Sequence, residues 1–261
     1  MKNYLKLIAF IIFIINTEVT FAHKDKHKDK YKDKEKIVLP QEIGCNRLPS
    51  NAQLKTALLN ARNQDNGGFD FEVWGTIVNR DGIVCTVAFT GTDRGEQWPG
   101  SRVISAQNAN TANAFSLPNF ALSTANLYKE VQPGGMLFGR QYTNPVDTSA
   151  AYAGPSYNYG TVTDPLIGKK IGGINVSGGG LALYDNSGQL IGGLGVSGDS
   201  SCADHNISWR TRNNLNLDYV PQGISDNGLP DNIIYDIEKK WSHPTCSSNI
   251  QSISENLPPT K

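Results

Sequence analysis

The sequence predicts an α+β fold in which helices pack on one antiparallel sheet of about five strands, a profilin-like layer architecture. The first observation is two glycine-punctuated hairpins, each made of two short apolar runs joined by a tight turn. The second is a set of helical segments that do not alternate regularly with strands, as they would in a parallel sheet. The third is size, because about 220 residues remain once two amino-terminal segments are set aside, which suits one large domain.

The chain begins with the pattern of a secretory signal peptide over residues 1–22. Lys2 and Lys6 precede an apolar run at residues 7–15, and Thr20-Phe21-Ala22 places small residues at −3 and −1 of a cleavage site. We therefore expect an exported protein, periplasmic or extracellular, with no membrane span after cleavage. An uncleaved anchor is the alternative.

Residues 23–44 are predicted to be a Lys/Asp-rich disordered tail and linker. The stretch HKDKHKDKYKDKEK holds seven Lys and four acids without an aliphatic residue, so it cannot bury enough surface to offset chain entropy. His23 and His27 offer only loose metal binding. From residue 37 onward there are 15 basic and 19 acidic residues, and this acidic balance argues against nucleic acid as a partner.

The first structural elements are a helix over residues 51–62 and a hairpin. Ser50 or Asn51 can cap the helix, and apolar positions recur on one face of it. The alternating run FDFEVWGTIVN, residues 69–79, predicts a half-buried strand, and IVCTVAFT, residues 83–90, predicts the returning strand.

The second half of the sequence predicts further helices and a second hairpin that is richer in glycine. Helices are expected at residues 101–115 and 121–131, followed by an irregular segment at 133–164 rich in Gly, Pro, Asn and Tyr. Residues 169–185 and 189–198 form a second hairpin. A helix over residues 201–213 follows it.

The second hairpin ends in a G-x-G-x-x-G pattern at Gly193, Gly195 and Gly198. A dinucleotide fold needs this pattern at the first turn of repeated strand–helix units, and here it comes late and after a hairpin. The glycines indicate instead the close approach of another backbone or of a flat ligand.

Four cysteines in an exported chain predict two disulfides, with three pairings possible. Pairing of sequence neighbours, Cys45–Cys85 and Cys202–Cys246, is favoured. A zinc site is the alternative, because Cys202 and His205 form C-x-x-H while His243 and Cys246 form H-x-x-C. In both cases the carboxy-terminal segment returns to the last helix.

The stretches FEVWGTIVNRDGIVCTVAFTG, SRVISAQNANTANAF, IGGINVSGGGLALYDNSGQLIGGLGVSG and SCADHNISW together resemble the GlcG/HbpS-type haem-binding, or haem-degrading, family. The resemblance implies a domain over residues 45–217, with residues 218–261 as an additional extension, and it implies assembly into homo-oligomers. It implies an exported protein that binds haem for storage, scavenging or sensing. The alternatives are a slow haem-degrading enzyme, or an oligomeric module for another small molecule such as a corrinoid or an organic acid. Asn108 departs from the family, since many relatives have a basic residue there.

Haem needs an apolar slot, an axial ligand and cations for its propionates, and the sequence offers a candidate for each. His205 is the candidate iron ligand, with Tyr142 and Tyr152 as phenolate alternatives. Arg102 is the candidate propionate partner, and Thr111 the candidate pocket wall; each of these residues also has an ordinary interpretation in packing, capping or ion pairing. No C-x-x-C-H occurs, so attachment is expected to be non-covalent. No catalytic residue is assigned.

Overall fold

The structure, a computed structural model, describes residues 43–225 and 228–261. The predicted signal peptide and nearly all of the predicted tail lie outside the described residues. The helices are α1 (Asn51–Arg62), α2 (Ser101–Phe115), α3 (Arg140–Thr143), α4 (Thr148–Ala151), α5 (Ser201–Asn214) and α6 (Ile250–Glu255). The strands are β1 (Trp74–Asn79), β2 (Val84–Phe89), β3 (Gly180–Tyr184) and β4 (Leu190–Ser197).

The four strands form one antiparallel sheet in the order β2-β1-β4-β3. Each predicted hairpin forms, although β3 begins at residue 180 and not at residue 169 as predicted. The two hairpins join through β1 and β4, with Trp74 opposite Ser197 and Asn79 opposite Gly192. The predicted fold class is confirmed, with four strands in place of about five.

Helices cover both faces of this sheet. Ile77 packs with the apolar side of α1 and with Ile207 of α5, whereas Val78 packs with Val103 of α2 on the opposite face. Because both faces are covered, every residue of β1 is buried. The expectation of a half-buried strand is therefore wrong.

Strand β1 begins five residues later than the alternating sequence predicts. The carboxylate of Asp199 accepts hydrogen bonds from the backbone N–H groups of Phe69 and Phe71, and Asp70 between them has a φ of 59°. These backbone donors are thus used by a side chain and not by a neighbouring strand.

The segment predicted as a helix at residues 121–131 contains two short 3-10 turns, Ala125–Leu127 and Lys129–Val131. The Asn126 side chain accepts from Ser123 and donates to the carbonyl of Asn232. Its amide therefore ties this segment to the carboxy-terminal extension.

The extension, residues 218–261 apart from the two undescribed positions, lies along α5. Arg212 of α5 pairs with Asp231 in a fully buried ion pair, and the Trp209 indole N–H donates to the carbonyl of Pro258. The Cys202–Cys246 disulfide adds a covalent link between the two. Within the described ranges, no helix has the length and apolar character needed to cross a bilayer.

Candidate functional site

The space beside the glycines of β4 is filled by helix α2. A Cβ on Gly195 would overlap the carbonyl oxygen of Ser105, and one on Gly193 would overlap the carbonyl oxygen of Ala109. The absence of side chains lets the helix backbone lie directly on the strand. A flat ligand does not fit there, which corrects the expectation that these two glycines contact a cofactor.

Arg102 is committed to a partner inside the protein. Its guanidinium donates to both carboxylate oxygens of Asp164 and to the carbonyl of Ala151, and its Cζ lies 3.6 Å from the centroid of the Tyr159 ring. Because this side chain is only 2% exposed and its charge is paired with Asp164, it is not available to a haem propionate. Arg102 therefore links the carboxy-terminal end of the irregular segment to α2.

The Thr111 hydroxyl also has its hydrogen-bond partners inside the protein. Its hydroxyl donates to the carbonyl of Gln107 at 2.7 Å and accepts from the N–H of Asn175 at 3.0 Å, and the residue is completely buried. It packs α2 against the chain entering β3 and does not line an open pocket.

His205 lies beneath the carboxy-terminal extension with no exposed surface. Its Nε2 is 3.0 Å from Oδ1 of Asn232 and 3.1 Å from the backbone nitrogen of Ile233, while its Nδ1 has no partner among the described residues. Burial lowers the pKa of His205 to about 4, so the ring is neutral near pH 7.

The unpartnered Nδ1 of His205 has the chemistry of a metal ligand, but its surroundings do not admit a porphyrin. A cavity beside its partners Asn232 and Ile233 has a volume of about 150 Å³. Pockets that hold small molecules measure roughly 300–1,000 Å³. The interior position of His205 therefore does not fit haem unless the extension separates from α5.

A second buried ionisable group, Asp204, stands next to His205 on α5. Its carboxylate accepts from the backbone N–H groups of Gly198 and Asp199 at 3.3 and 2.9 Å. Burial raises the pKa of Asp204 well above its usual value, and these two hydrogen bonds only partly oppose that shift. The group holds the start of α5 against the end of β4.

The disulfides are Cys45–Cys85 and Cys202–Cys246, the two pairs of sequence neighbours. His243 joins the second pair, and the three potential ligand atoms of Cys202, His243 and Cys246 lie within 4.8 Å of one another. His205 is not part of this group, so the four-residue zinc set expected from spacing is not assembled as such.

His243 has a defined tautomer. Its Nδ1 is 2.7 Å from the carbonyl oxygen of Pro244, which only accepts, so the proton is on Nδ1. Its Nε2 therefore accepts from the Ser201 hydroxyl at 2.7 Å. The H-x-x-C spacing pointed to His243, but no local pattern indicated the contact with Ser201.

The irregular segment displays several large side chains to solvent. Tyr142 is 82% exposed, Tyr152 59% and Tyr157 80%, and Met136 and Phe138 are exposed as well. The segment contains α3 and α4, and its carboxy-terminal end is held by the ion pair of Arg102. Among the residues predicted as iron ligands, the two tyrosines Tyr142 and Tyr152 are the ones that solvent reaches.

A second exposed aromatic group was not anticipated from the sequence. Phe69 and Phe71 stack with ring centroids 5.4 Å apart, and Trp98 meets Phe71 edge-on at 5.5 Å. The alternation of Phe69 and Phe71 predicts a strand face, whereas their backbone hydrogen bonds to Asp199 and the positive φ of Asp70 take the segment out of the sheet.

Comparison with known proteins gives a family match for most of the domain. The model of a family described as "Haem degrading protein HbpS-like" matches residues 56–211. No curated protein matches the chain. Several solved structures match part of the chain, and two of them are described next.

The first is the crystal structure of the Klebsiella pneumoniae protein ORFY, of family DUF336, at 22% identity and a TM-score of 0.42; the match covers 63% of this chain and 87% of that one. The second is a crystal structure of a PduOC–haem complex, at 24% identity and a TM-score of 0.43, covering 64% and 91%.

Proposed function

The chain belongs to the HbpS-like family of haem-degrading proteins, and from this membership we propose that it is an exported protein that binds haem non-covalently. Storage, scavenging and sensing are the roles that fit such binding. Family membership is the observation that carries the proposal.

The tyrosine-rich segment, residues 133–164, is the proposed haem-binding surface. A phenolate is an established ligand of ferric haem, and Tyr142 is 82% exposed, so its hydroxyl is accessible to a ligand from solvent. The neighbouring Met136 and Phe138 offer exposed apolar surface for the porphyrin, and Arg140 offers a cation for a propionate. His205, by contrast, would require the extension to open.

Export is proposed from the amino-terminal sequence pattern, with a periplasmic or extracellular destination. Two disulfides are compatible with an oxidising compartment. Assembly into a homo-oligomer belongs to the same proposal and is measured by light scattering of the mature protein.

A hemin titration of the mature protein tests the proposal. We expect a saturable Soret band, and we expect Tyr142→Phe to weaken hemin binding about tenfold or more and to shift the band, because the ligand oxygen is lost. Tyr157→Phe is the matched control, since Tyr157 is equally exposed in the same segment. Tyr152→Phe tests the second tyrosine.

Unchanged spectra in both Tyr142→Phe and Tyr152→Phe would move the ligand away from this segment. No Soret band in the wild-type protein would contradict haem binding and favour a different small molecule, such as a corrinoid or an organic acid.

Haem degradation is the second candidate, because the matched family is described by that activity. Incubation of the haem complex with a reductant and oxygen distinguishes the two. A Soret band that persists supports binding alone, and its loss with formation of a biliverdin-like product supports an enzyme.

A further inference from the structure

We propose that the Cys202–Cys246 disulfide, when reduced, forms a zinc-binding site together with His243. The proposal does not depend on haem binding. It rests on the placement of the two sulfur atoms and one imidazole nitrogen within 4.8 Å of one another. Two thiolates and one imidazole are a donor set that zinc prefers.

The imidazole of His243 lies beside the disulfide, and in the oxidised protein its Nδ1–H donates to the carbonyl of Pro244, a hydrogen bond that metal binding at Nδ1 replaces. Its Nδ1 lies 3.9 Å from Sγ of Cys202, so a small movement of the sulfur atoms and the ring brings Nδ1 into a shared coordination sphere. The ring is held in place by the hydrogen bond from the His243 backbone N–H to the carbonyl of Ile234 and by contact with the Tyr128 ring at 4.8 Å.

Ser201 completes the environment that a ligating histidine requires. In the oxidised protein the Ser201 hydroxyl donates to Nε2 of His243. When a metal takes Nδ1, the ring proton moves to Nε2 and donates to the Ser201 oxygen, so this pair keeps its hydrogen bond with the direction reversed. Metal-bound histidines commonly have such a partner on the second nitrogen.

The fold also stabilises the thiolates. Cys202 lies in the first turn of the fourteen-residue helix α5, whose positive end favours a nearby thiolate. The Cys202 backbone N–H is 3.3 Å from Sγ of Cys246 and can donate to that sulfur.

A reductant from solvent can reach one sulfur atom of the disulfide more easily than the other, which determines which sulfur is attacked first. Cys246 is exposed whereas Cys202 is completely buried. A dithiol reductant attacks Sγ of Cys246, and Cys202 leaves as the thiolate at the helix terminus. The second reductant thiol then releases Cys246, so two electrons and two protons pass from the dithiol to the protein and the reductant becomes a disulfide.

Zinc binding then displaces one proton from each cysteine thiol and none from the neutral histidine. The three protein ligands would leave a fourth coordination position for water. The other disulfide, Cys45–Cys85, is not part of any such ligand group among the described residues.

Cobalt substitution tests the proposal, using the mature protein reduced with a phosphine. We expect the reduced wild type to bind one Co²⁺ with a sulfur-to-cobalt charge-transfer band that Zn²⁺ removes, and the oxidised protein to show no such band. Because the band requires a thiolate, binding by His23 and His27 in the tail does not imitate it.

Cys45→Ser/Cys85→Ser is the matched control, since it removes the other disulfide and should keep the band. Cys202→Ser/Cys246→Ser should abolish it. His243→Asn keeps both sulfur atoms, and after reduction it should bind Co²⁺ at least about tenfold more weakly.

Circular dichroism of each reduced protein checks that the domain is still folded, and only folded proteins are compared. The proposal is overturned if the folded, reduced wild type shows no thiolate band. It is equally overturned if the band is lost in the Cys45→Ser/Cys85→Ser control or is unaffected by His243→Asn.

Discussion

Asp164 receives a bidentate pair of hydrogen bonds from Arg102 inside the domain, with side-chain exposures of 0% and 2%. The two residues are 62 positions apart, and the pair joins helix α2 to the irregular segment. Since Asp164 also accepts from the N–H groups of Gly160 and Leu166, one carboxylate organises the end of that segment.

Removing the cation from this pair should be strongly destabilising. Arg102→Ala leaves the buried Asp164 carboxylate without its counter-charge, and we expect the free energy of unfolding to fall by about 3–5 kcal/mol. Arg47→Ala is the control, because the Arg47 side chain in its pair with Asp185 is 49% exposed and should contribute at most about 1 kcal/mol. If urea unfolding shows equal decreases in the free energy of unfolding for the two variants, the buried Arg102–Asp164 pair is not the strong stabilising contact inferred here.

A side chain at Gly195 should disrupt the packing of α2 on the sheet. Judged from β-propensity alone, Gly195→Val would be neutral or slightly stabilising. The backbone of Ser105 occupies the space that the new side chain needs, so we expect a loss of several kcal/mol or failure to fold.

Gly100→Ala is the control for this substitution. The nearest atom to an added Cβ there is the Ile104 Cδ1 at 3.9 Å, and a change within about 1 kcal/mol is expected. Thermal unfolding of both variants gives the comparison. A stable, wild-type-like Gly195→Val protein would show that α2 and β4 can separate at little cost.

His205 should make stability depend on pH between about 4 and 6.5. The pKa of His205 is about 4 in the folded protein and 6.5 for the free side chain, so in this range the unfolded chain binds a proton that the folded chain does not. The contribution of neutral His205 to the free energy of unfolding is fully present above pH 6.5 and decreases by about 3 kcal/mol as the pH drops to 4.

Asp204 acts in the opposite direction, because its raised pKa means that the folded chain keeps a proton that the unfolded chain has released. Two variants separate the contributions. Denaturant titrations across pH should show a shallower acid loss in His205→Gln than in wild type and a steeper one in Asp204→Asn. The histidine assignment fails if His205→Gln has the wild-type slope.

The disulfide at the amino-terminal side should stabilise the domain by restricting the unfolded chain. Cys45–Cys85 closes a loop with a sequence separation of 40, and its removal in Cys45→Ser/Cys85→Ser should cost about 2–4 kcal/mol. Peptide mapping without reduction should recover both neighbouring pairs. Recovery of Cys45 linked to Cys202 or Cys246 would contradict the described connectivity.

The elements that depend on local pattern were predictable from the sequence. Helix α2 has its predicted bounds because its small and apolar residues recur at helical spacing, and both hairpins follow from short apolar runs on either side of tight turns. The glycines of β4 indicate a close approach, but the sequence leaves open whether a backbone or a flat ligand approaches, and the structure shows the backbone of α2. Hydrophobic periodicity and turn residues act over a few neighbouring positions, so a single sequence is enough to recognise them.

The partners of the buried polar groups were decided only by the tertiary structure. Arg102 has the same local sequence whether it meets Asp164 or a propionate, and His205 has the same sequence whether it faces solvent or Asn232 of the extension. Helix α6 and the segment before β1 also depend on distant contacts. The free energy of a buried charge or hydrogen bond depends on partner atoms that the fold brings from distant parts of the chain. The spacing of neighbouring residues in the sequence does not identify those partners.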